Sequence, residues 1–243
     1  MTNKQVIIRV NGLVKKFGSF VANDHLTFEV YKGEIFGFLG ANGAGKTTAI
    51  RILSGLSYPT SGEIEVAGYN VYTQREKIKS NIGYMSQKFS LYEDLSVREN
   101  IRFYAGIYGL SDSQIKGKTD VLIDKLDMRE SANKLVRDIP TGWRQKLAFS
   151  VAVFHEPKLV FLDEPTGGVD PITRRKFWEL IYDTATSGIT VFVTTHYMDE
   201  AEYCDRISIM SEGRIEALDT PENLKKKYSA KNMDEVFLKI ARN

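Results

Sequence analysis

Eight consecutive residues, Gly40-Ala41-Asn42-Gly43-Ala44-Gly45-Lys46-Thr47, fit the pattern G-x-x-x-x-G-K-[ST] in full, and they restrict the fold more than any other feature. The pattern works only between a buried strand and the start of a helix. Its glycines let backbone N–H groups turn inward around phosphates. The following helix adds the positive partial charge of its N-terminus. Lys46 can reach β and γ phosphates, the Thr47 hydroxyl can ligate Mg²⁺, and Thr48 closes the stretch. Both flanks meet the demand. Ile35-Phe36-Gly37-Phe38-Leu39 is a continuous apolar run, as for a strand covered on both faces, and residues 47–56 read as a helix.

A phosphate loop needs a carboxylate across the sheet to hold a magnesium shell. Phe161-Leu162-Asp163-Glu164 supplies one at the end of a second apolar run. Asp163 is the magnesium-linked acid, and Glu164, one residue later, can polarise an attacking water as general base. An acidic pair after an apolar run is ordinarily a solvated strand end. The following Pro165-Thr166-Gly167-Gly168-Val169-Asp170 argues against that here.

The rest of the chain alternates strands and helices. Residues 6–10 and 26–30 read as strands and 31–34 as a turn. Residues 58–62 break the first helix, and 63–66 return as a strand. From 97 to 126 the pattern is helical and more polar, with Ile101, Tyr104, Ala105 and Tyr108 on one face, as in a helical insertion. Strands at 159–162 and 190–194 flank a helix at 174–186, which argues a parallel sheet with right-handed crossovers. Residues 207–218 read as a hairpin. Met233, Val236, Phe237 and Ile240 share one face of a terminal docking helix.

Composition removes several function classes. Lys plus Arg number 33 and Asp plus Glu 31, so charge gives no push toward nucleic acid. Lys225-Lys226-Lys227 reads as a solvated helix end. A single cysteine, Cys204, excludes an internal disulfide and a cysteine zinc cluster, and reads as a packed or solvated thiol. No apolar leader follows Met1-Thr2-Asn3-Lys4-Gln5, and no apolar run approaches the ~20 residues that span a bilayer. The expectation is a soluble, cytoplasmic chain whose membrane partner, if any, is a separate polypeptide.

The ordered motifs resemble the nucleotide-binding domains of ABC transporters over nearly the whole chain, closest to the branch that powers ABC-2-type exporters of drugs, lipids or polysaccharides. The resemblance implies an α/β fold: a P-loop NTPase (RecA-like) core with an antiparallel β subdomain and an inserted α-helical subdomain. It places the β subdomain and core at 1–90 and 155–225, the helical subdomain at 91–154 and a terminal helix at 226–243. Gln87 matches the Q-loop glutamine, which contacts Mg²⁺ or the attacking water; a neutral amide can leave without a charge penalty. His196, in Thr194-Thr195-His196, matches the switch histidine, which can donate to the γ-phosphate and orient Glu164. Gly168 and Asp170 match the D-loop, which crosses the family's dimer interface. Phe17 matches the aromatic that stacks on adenine, with a core role as the competing reading. His25 and His155 match no motif and read as structural.

One motif departs from the pattern. Where the family carries Leu-Ser-Gly-Gly-Gln, this chain reads Ile139-Pro140-Thr141-Gly142-Trp143. In the family this loop closes over the γ-phosphate bound to the opposite subunit. Pro140 offers neither hydroxyl nor N–H, Thr141 brings a hydroxyl one position late, and Trp143 replaces the glutamine. Either Thr141 and the Gly142 N–H substitute in a working homodimer, or the signature is degenerate and the subunit pairs with a second cassette. The intact Gln87, Glu164 and His196 favour the first. The resemblance implies an MgATP-driven ATPase on the cytoplasmic face of the membrane, acting on ABC-2-type transmembrane subunits. Soluble repair or translation members are the alternative, but the repair type's long coiled coil and the translation type's second cassette are not in this sequence. A P-loop GTPase or kinase lacks the combination of Gln87, Asp163-Glu164 and His196.

Overall fold

The computed structural model describes residues 4–87 and 91–241. The extreme N-terminus read for a leader, residues 88–90 between the expected subdomains, and the end of the 226–243 tail lie outside the described residues. Strands β1 (Val6–Phe17) and β2 (Phe20–Tyr31) form a long antiparallel hairpin. Both extend well past the segments 6–10 and 26–30. Register shifts between Val10 and Leu13 and between Leu13 and Lys15 break the two-residue alternation by which a strand is read from sequence.

After β3 (Ile35–Gly40) and α1 (Lys46–Leu53), β4 (Ser61–Val66) returns to pair with β1, and β5 (Tyr69–Asn70) closes this sheet in the order β2-β1-β4-β5. Helix α2 (Arg75–Asn81) then leads into β6 (Ile82–Met85). The helical stretch is three helices: α3 (Val97–Ile107), α4 (Asp112–Lys125) and α5 (Thr141–Val153). The expected continuous pattern at 97–126 is divided because Gly109 takes φ 77° and Ser111 caps α4 in a capping box with Gln114. Next come β7 (Leu159–Asp163), α6 (Pro171–Thr186), β8 (Thr190–Thr195), β9 (Arg206–Ser211), β10 (Arg214–Asp219), α7 (Pro221–Lys227) and α8 (Met233–Ala241). Helix α6 starts earlier than the apolar period suggests, because Asp170 caps it and Pro171 presets its first φ.

The second sheet runs β10-β9-β3-β8-β7-β6, parallel except for β10, with β3, β7 and β8 buried along their whole length. This is the P-loop NTPase arrangement expected above, with helices on a parallel sheet and an antiparallel sheet beside it. Strand alternation divides its core in two. On one face Phe192 of β8 lies 5.5 Å from Phe36, 5.2 Å from Phe38, 5.3 Å from Phe161 and 6.4 Å from Phe28 between ring centroids. Phe28 belongs to the antiparallel sheet, so this aromatic cluster joins the two sheets. On the other face Val191 and Val193 pack with Phe149, Phe177, Trp178 and the Met233 and Val236 of α8, which docks as its apolar face predicts. Helices α3, α4 and α5 carry a third cluster around Ile101, Ile123, Leu147 and Phe154.

The residues read as structural keep such roles. His155 stacks on Tyr108 at 3.6 Å, and burial lowers its pKa. His25 is exposed beside Asp24, and Cys204 is buried. Lys226 and Lys227 are exposed in the last turn of α7. Among the described residues no helix is long and apolar enough to cross a membrane.

Because Phe192 touches rings from both sheets, truncation should loosen both. Phe192→Ala is expected to lower unfolding free energy by about 3–5 kcal/mol, read from the midpoint of urea denaturation.

Candidate functional site

The phosphate-loop sequence leaves β3 and enters α1 under a close backbone contact. A Cβ built on Gly40 would stand 2.5 Å from the Met210 carbonyl oxygen, and one on Gly45 2.3 Å from the Ala22 carbonyl oxygen. Gly45 also takes φ 99°, so both geometry and clearance require glycine there. Asn23 of β2, fully buried, donates from Nδ2 to the Gly45 carbonyl at 3.1 Å. Sequence reading had no signal for Asn23, because its partner is 22 residues away at the start of α1.

Lys46 is 4% exposed and folds back over its own loop. Its Nζ donates to the Gly40 carbonyl at 2.7 Å and the Ala41 carbonyl at 3.1 Å, and lies 3.5 Å from Glu164 Oε1. Burial lowers the Lys46 pKa, and the Glu164 charge opposes that.

Across the sheet, Asp163 ends β7 with 3% exposure. Thr194 of β8 donates to its Oδ1 at 2.8 Å and Thr47 at 3.3 Å. Burial pushes the Asp163 pKa up, against the pull of the two hydroxyls. Thr47 and Asp163 together make a hard oxygen donor set of the kind suited to a magnesium-type cation, which keeps several waters and takes few protein ligands.

Glu164 turns sharply off the strand at φ 50°, a left-handed conformation that costs a non-glycine residue about 1–3 kcal/mol. Its N–H donates to the Thr194 Oγ1 at 3.0 Å, which holds the turn. The carboxylate then meets three groups. Lys46 faces Oε1, Gln87 donates from Nε2 to Oε2 at 3.0 Å, and His196 Nδ1 lies 3.2 Å from the same oxygen. Gln87, Glu164 and His196, far apart in sequence, therefore meet at one carboxylate.

Beside this hub lies an open cleft of about 510 Å³, lined by Phe20, Ala22, Asn42, Gly43, Gly45, Lys46, Thr47, Thr48, Gln87 and Glu164. A larger groove of about 600 Å³ lies over the antiparallel sheet near Arg9, Glu29 and Glu65, away from every group just described. Phe17 is 55% exposed under the Lys15 Nζ, which removes the core reading, yet it does not line the cleft. Its cross-strand partner Phe20 does. Phe20 was legible only once the hairpin register was known.

The altered signature lies elsewhere. Pro140 caps α5 without a side-chain hydrogen bond, Thr141 is exposed, and Trp143 packs on the helical cluster. A Cβ on Gly142 would lie 3.2 Å from Thr173 Cγ2 at the start of α6. There Asp170 accepts from the N–H groups of Ile172 and Thr173 at 3.0 Å each, with Gly168 at φ 75° just before it. None of Pro140, Thr141, Gly142, Trp143, Gly168 or Asp170 lines the cleft.

A family model described as ABC transporter matches residues 23–167. The chain is 46% identical over 224 residues to a probable multidrug ABC transporter ATP-binding protein, YbhF, of Escherichia coli (strain K12), covering 92% of this chain and 39% of that protein. It thus spans about two fifths of that relative's length. It is 36% identical to the daunorubicin resistance ATP-binding protein DrrA3 of Streptomyces coeruleorubidus, over 95% of this chain and 73% of the relative. A solved ATP-binding subunit of an ABC transporter superposes with a TM-score of 0.86 at 27% identity, covering 97% of this chain and 99% of that one.

The raised pKa of Asp163 carries a stability consequence. The folded chain binds this proton more readily than the unfolded chain, whose carboxyl titrates near the ordinary 3.8. The associated stability is full below that value and lost as pH rises through the folded value. Asp163→Asn carries no charge to bury, so the nucleotide-free variant should melt above the parent at pH 7. The gap should close as pH falls below about 4, read by thermal denaturation across pH.

Proposed function

The chain belongs to the ABC transporter family of ATP-hydrolysing cassettes, and from that premise we propose that it binds MgATP in the cleft over Lys46 and hydrolyses it with Glu164 as base. The observation that carries this reading is the single carboxylate of Glu164 shared by Lys46, Gln87 and His196. On binding, the phosphates replace the Gly40 and Ala41 carbonyls as acceptors for Lys46. The N–H groups from Gly43 to Thr48 at the start of α1 hold the rest. The oxygens of Thr47, Asp163 and Gln87 would hold Mg²⁺, which neutralises charge on the β and γ phosphates. A water between Gln87 and Glu164 attacks the γ-phosphorus in line. Glu164 takes its proton as the new P–O bond forms and the bond to the β-phosphate oxygen breaks, leaving ADP and phosphate. His196 steadies both Glu164 and the γ-phosphate. Phe17 and Phe20, exposed together at the hairpin tip, flank the adenine.

Completion of the site falls to a second copy. Thr141, the N–H groups opening α5, and the loop of Gly168 and Asp170 stand outside the cleft of their own chain and close on the ATP of the partner, a two-fold arrangement. The altered signature at Pro140 and Thr141 keeps pairing with a second cassette as the other reading. The names of the relatives, in multidrug transport and drug resistance, support export of drug-like cargo through separate ABC-2-type membrane subunits, with lipid or polysaccharide cargo as further candidates. The chain then sits on the cytoplasmic face of the membrane. Tyr92 and Phe103, with ring centroids 4.7 Å apart, and Ile107 one turn along the same helix as Phe103, exposed at 49%, 40% and 60%, offer an apolar seat for a cytoplasmic helix of those subunits.

The purified chain is expected to hydrolyse ATP, and Glu164→Gln to lower kcat by about 100-fold or more while ATP still binds. Unchanged turnover would remove Glu164 as the base. In that Glu164→Gln background ATP should drive dimerisation on size exclusion, and Thr141→Ala should weaken it about 10-fold or more, the worth of one hydrogen bond to a charged group.

A further inference from the structure

Next to His196 lies a row of groups that the hydrolytic reading does not use. Glu200 is fully buried. One of its oxygens accepts from the Thr166 hydroxyl at 2.6 Å and lies 3.6 Å from Arg174 Nε, a charge contact beyond hydrogen-bond distance; among the described residues neither that nitrogen nor the other oxygen has a hydrogen-bond partner. A carboxylate so enclosed is tolerable only with its cation in place. Arg174, in the first turn of α6, also reaches Asp199 at 3.3 Å. Its guanidinium lies 4.1 Å from the centre of the Tyr197 ring. That ring in turn lies 4.1 Å from the His196 ring, tilted by 37°. The row therefore runs Glu200, Arg174, Tyr197, His196 and ends on Glu164.

We infer that Arg174 is a positioning residue for His196, acting through the face of Tyr197 and anchored by Glu200. A planar guanidinium can pair edge-on with a carboxylate and stack face-on over a ring at once, which an ammonium cannot do with the same geometry. The ends of the row mark its role. One end fixes His196, and the other holds Thr166, two residues after Glu164, so base and histidine are clamped from one cation. Arg174 also donates its backbone N–H to the Asp170 carbonyl at 2.9 Å. A shift of the first turn of α6, where Asp170 stands exposed, is thereby carried to the imidazole.

The inference rests on the assignment of Glu164 and His196 above, and the test separates the two. Steady-state ATP hydrolysis is measured on the full chain for His196→Ala, Arg174→Ala, the double variant, Tyr197→Ala and Tyr197→Phe. Arg174→Ala and His196→Ala should each lower kcat about tenfold or more, with KM for ATP within about twofold. The double variant should be no slower than His196→Ala alone, because one residue acts through the other. Tyr197→Phe keeps the ring and should keep turnover, while Tyr197→Ala should lose it as Arg174→Ala does. Multiplying losses in the double variant, or full turnover in Arg174→Ala, would overturn the inference while leaving His196 in its role. Full turnover in His196→Ala would overturn the site assignment and this inference with it. Should Arg174→Ala fail to fold around the unpaired Glu200, the two Tyr197 variants decide, and equal turnover in both overturns it.

Discussion

Lys46 and Asp163 are buried and the Glu164 side chain keeps only 9% exposure at the cleft wall, and everything near the cleft follows from the need to keep those charges out of bulk water without leaving any of them alone. An isolated ammonium or carboxylate in such a place would change its protonation state. Here the loop carbonyls and Glu164 hold Lys46, while Thr47 and Thr194 hold Asp163. Only neighbouring parallel strands that end together can bring the three groups to one point. The buried pairing of β3 with β8 and of β8 with β7 does so.

That arrangement leaves the phosphate loop dependent on the antiparallel sheet for its shape. The Ala22 carbonyl presses on Gly45, Asn23 bonds its carbonyl, and Gly213 takes a bond from Asp24 and gives one to Ala44. The Phe28 ring among Phe36, Phe38 and Phe192 supplies the apolar contact that keeps the two sheets at this distance. Loop geometry is thus a product of packing between sheets as much as of the loop's own glycines.

A second set of contacts ties the helices to the acids. Gln145, fully buried in α5, donates to the Pro165 carbonyl just after Glu164, and Gly142 abuts Thr173 of α6. The starts of α5 and α6 are therefore packed beside the Glu164 turn. The unusual Pro140 and Thr141 sit at the exposed end of this linkage, apart from the acids behind it.

Motif spacing alone was enough to read the phosphate loop, the acid pair and the buried strands around them, because those segments obey local rules: glycines where the backbone must turn, continuous apolar runs where both faces are covered. Local rules also read the docking face of α8. They failed where the cause was distant. The hairpin's length was hidden by register shifts, and Asn23 and Phe20 by lying in a strand whose pairing partner set their position. The break after α3, by contrast, carried local signals in Gly109 and the Ser111–Gln114 capping box, which the apolar period running across them masked. The Gln87, Glu164 and His196 contact is the clearest case. Their spacing and strand ends suggest three separate loops, and only the lateral order of β6, β7 and β8 in the parallel sheet decides that one carboxylate receives all of them.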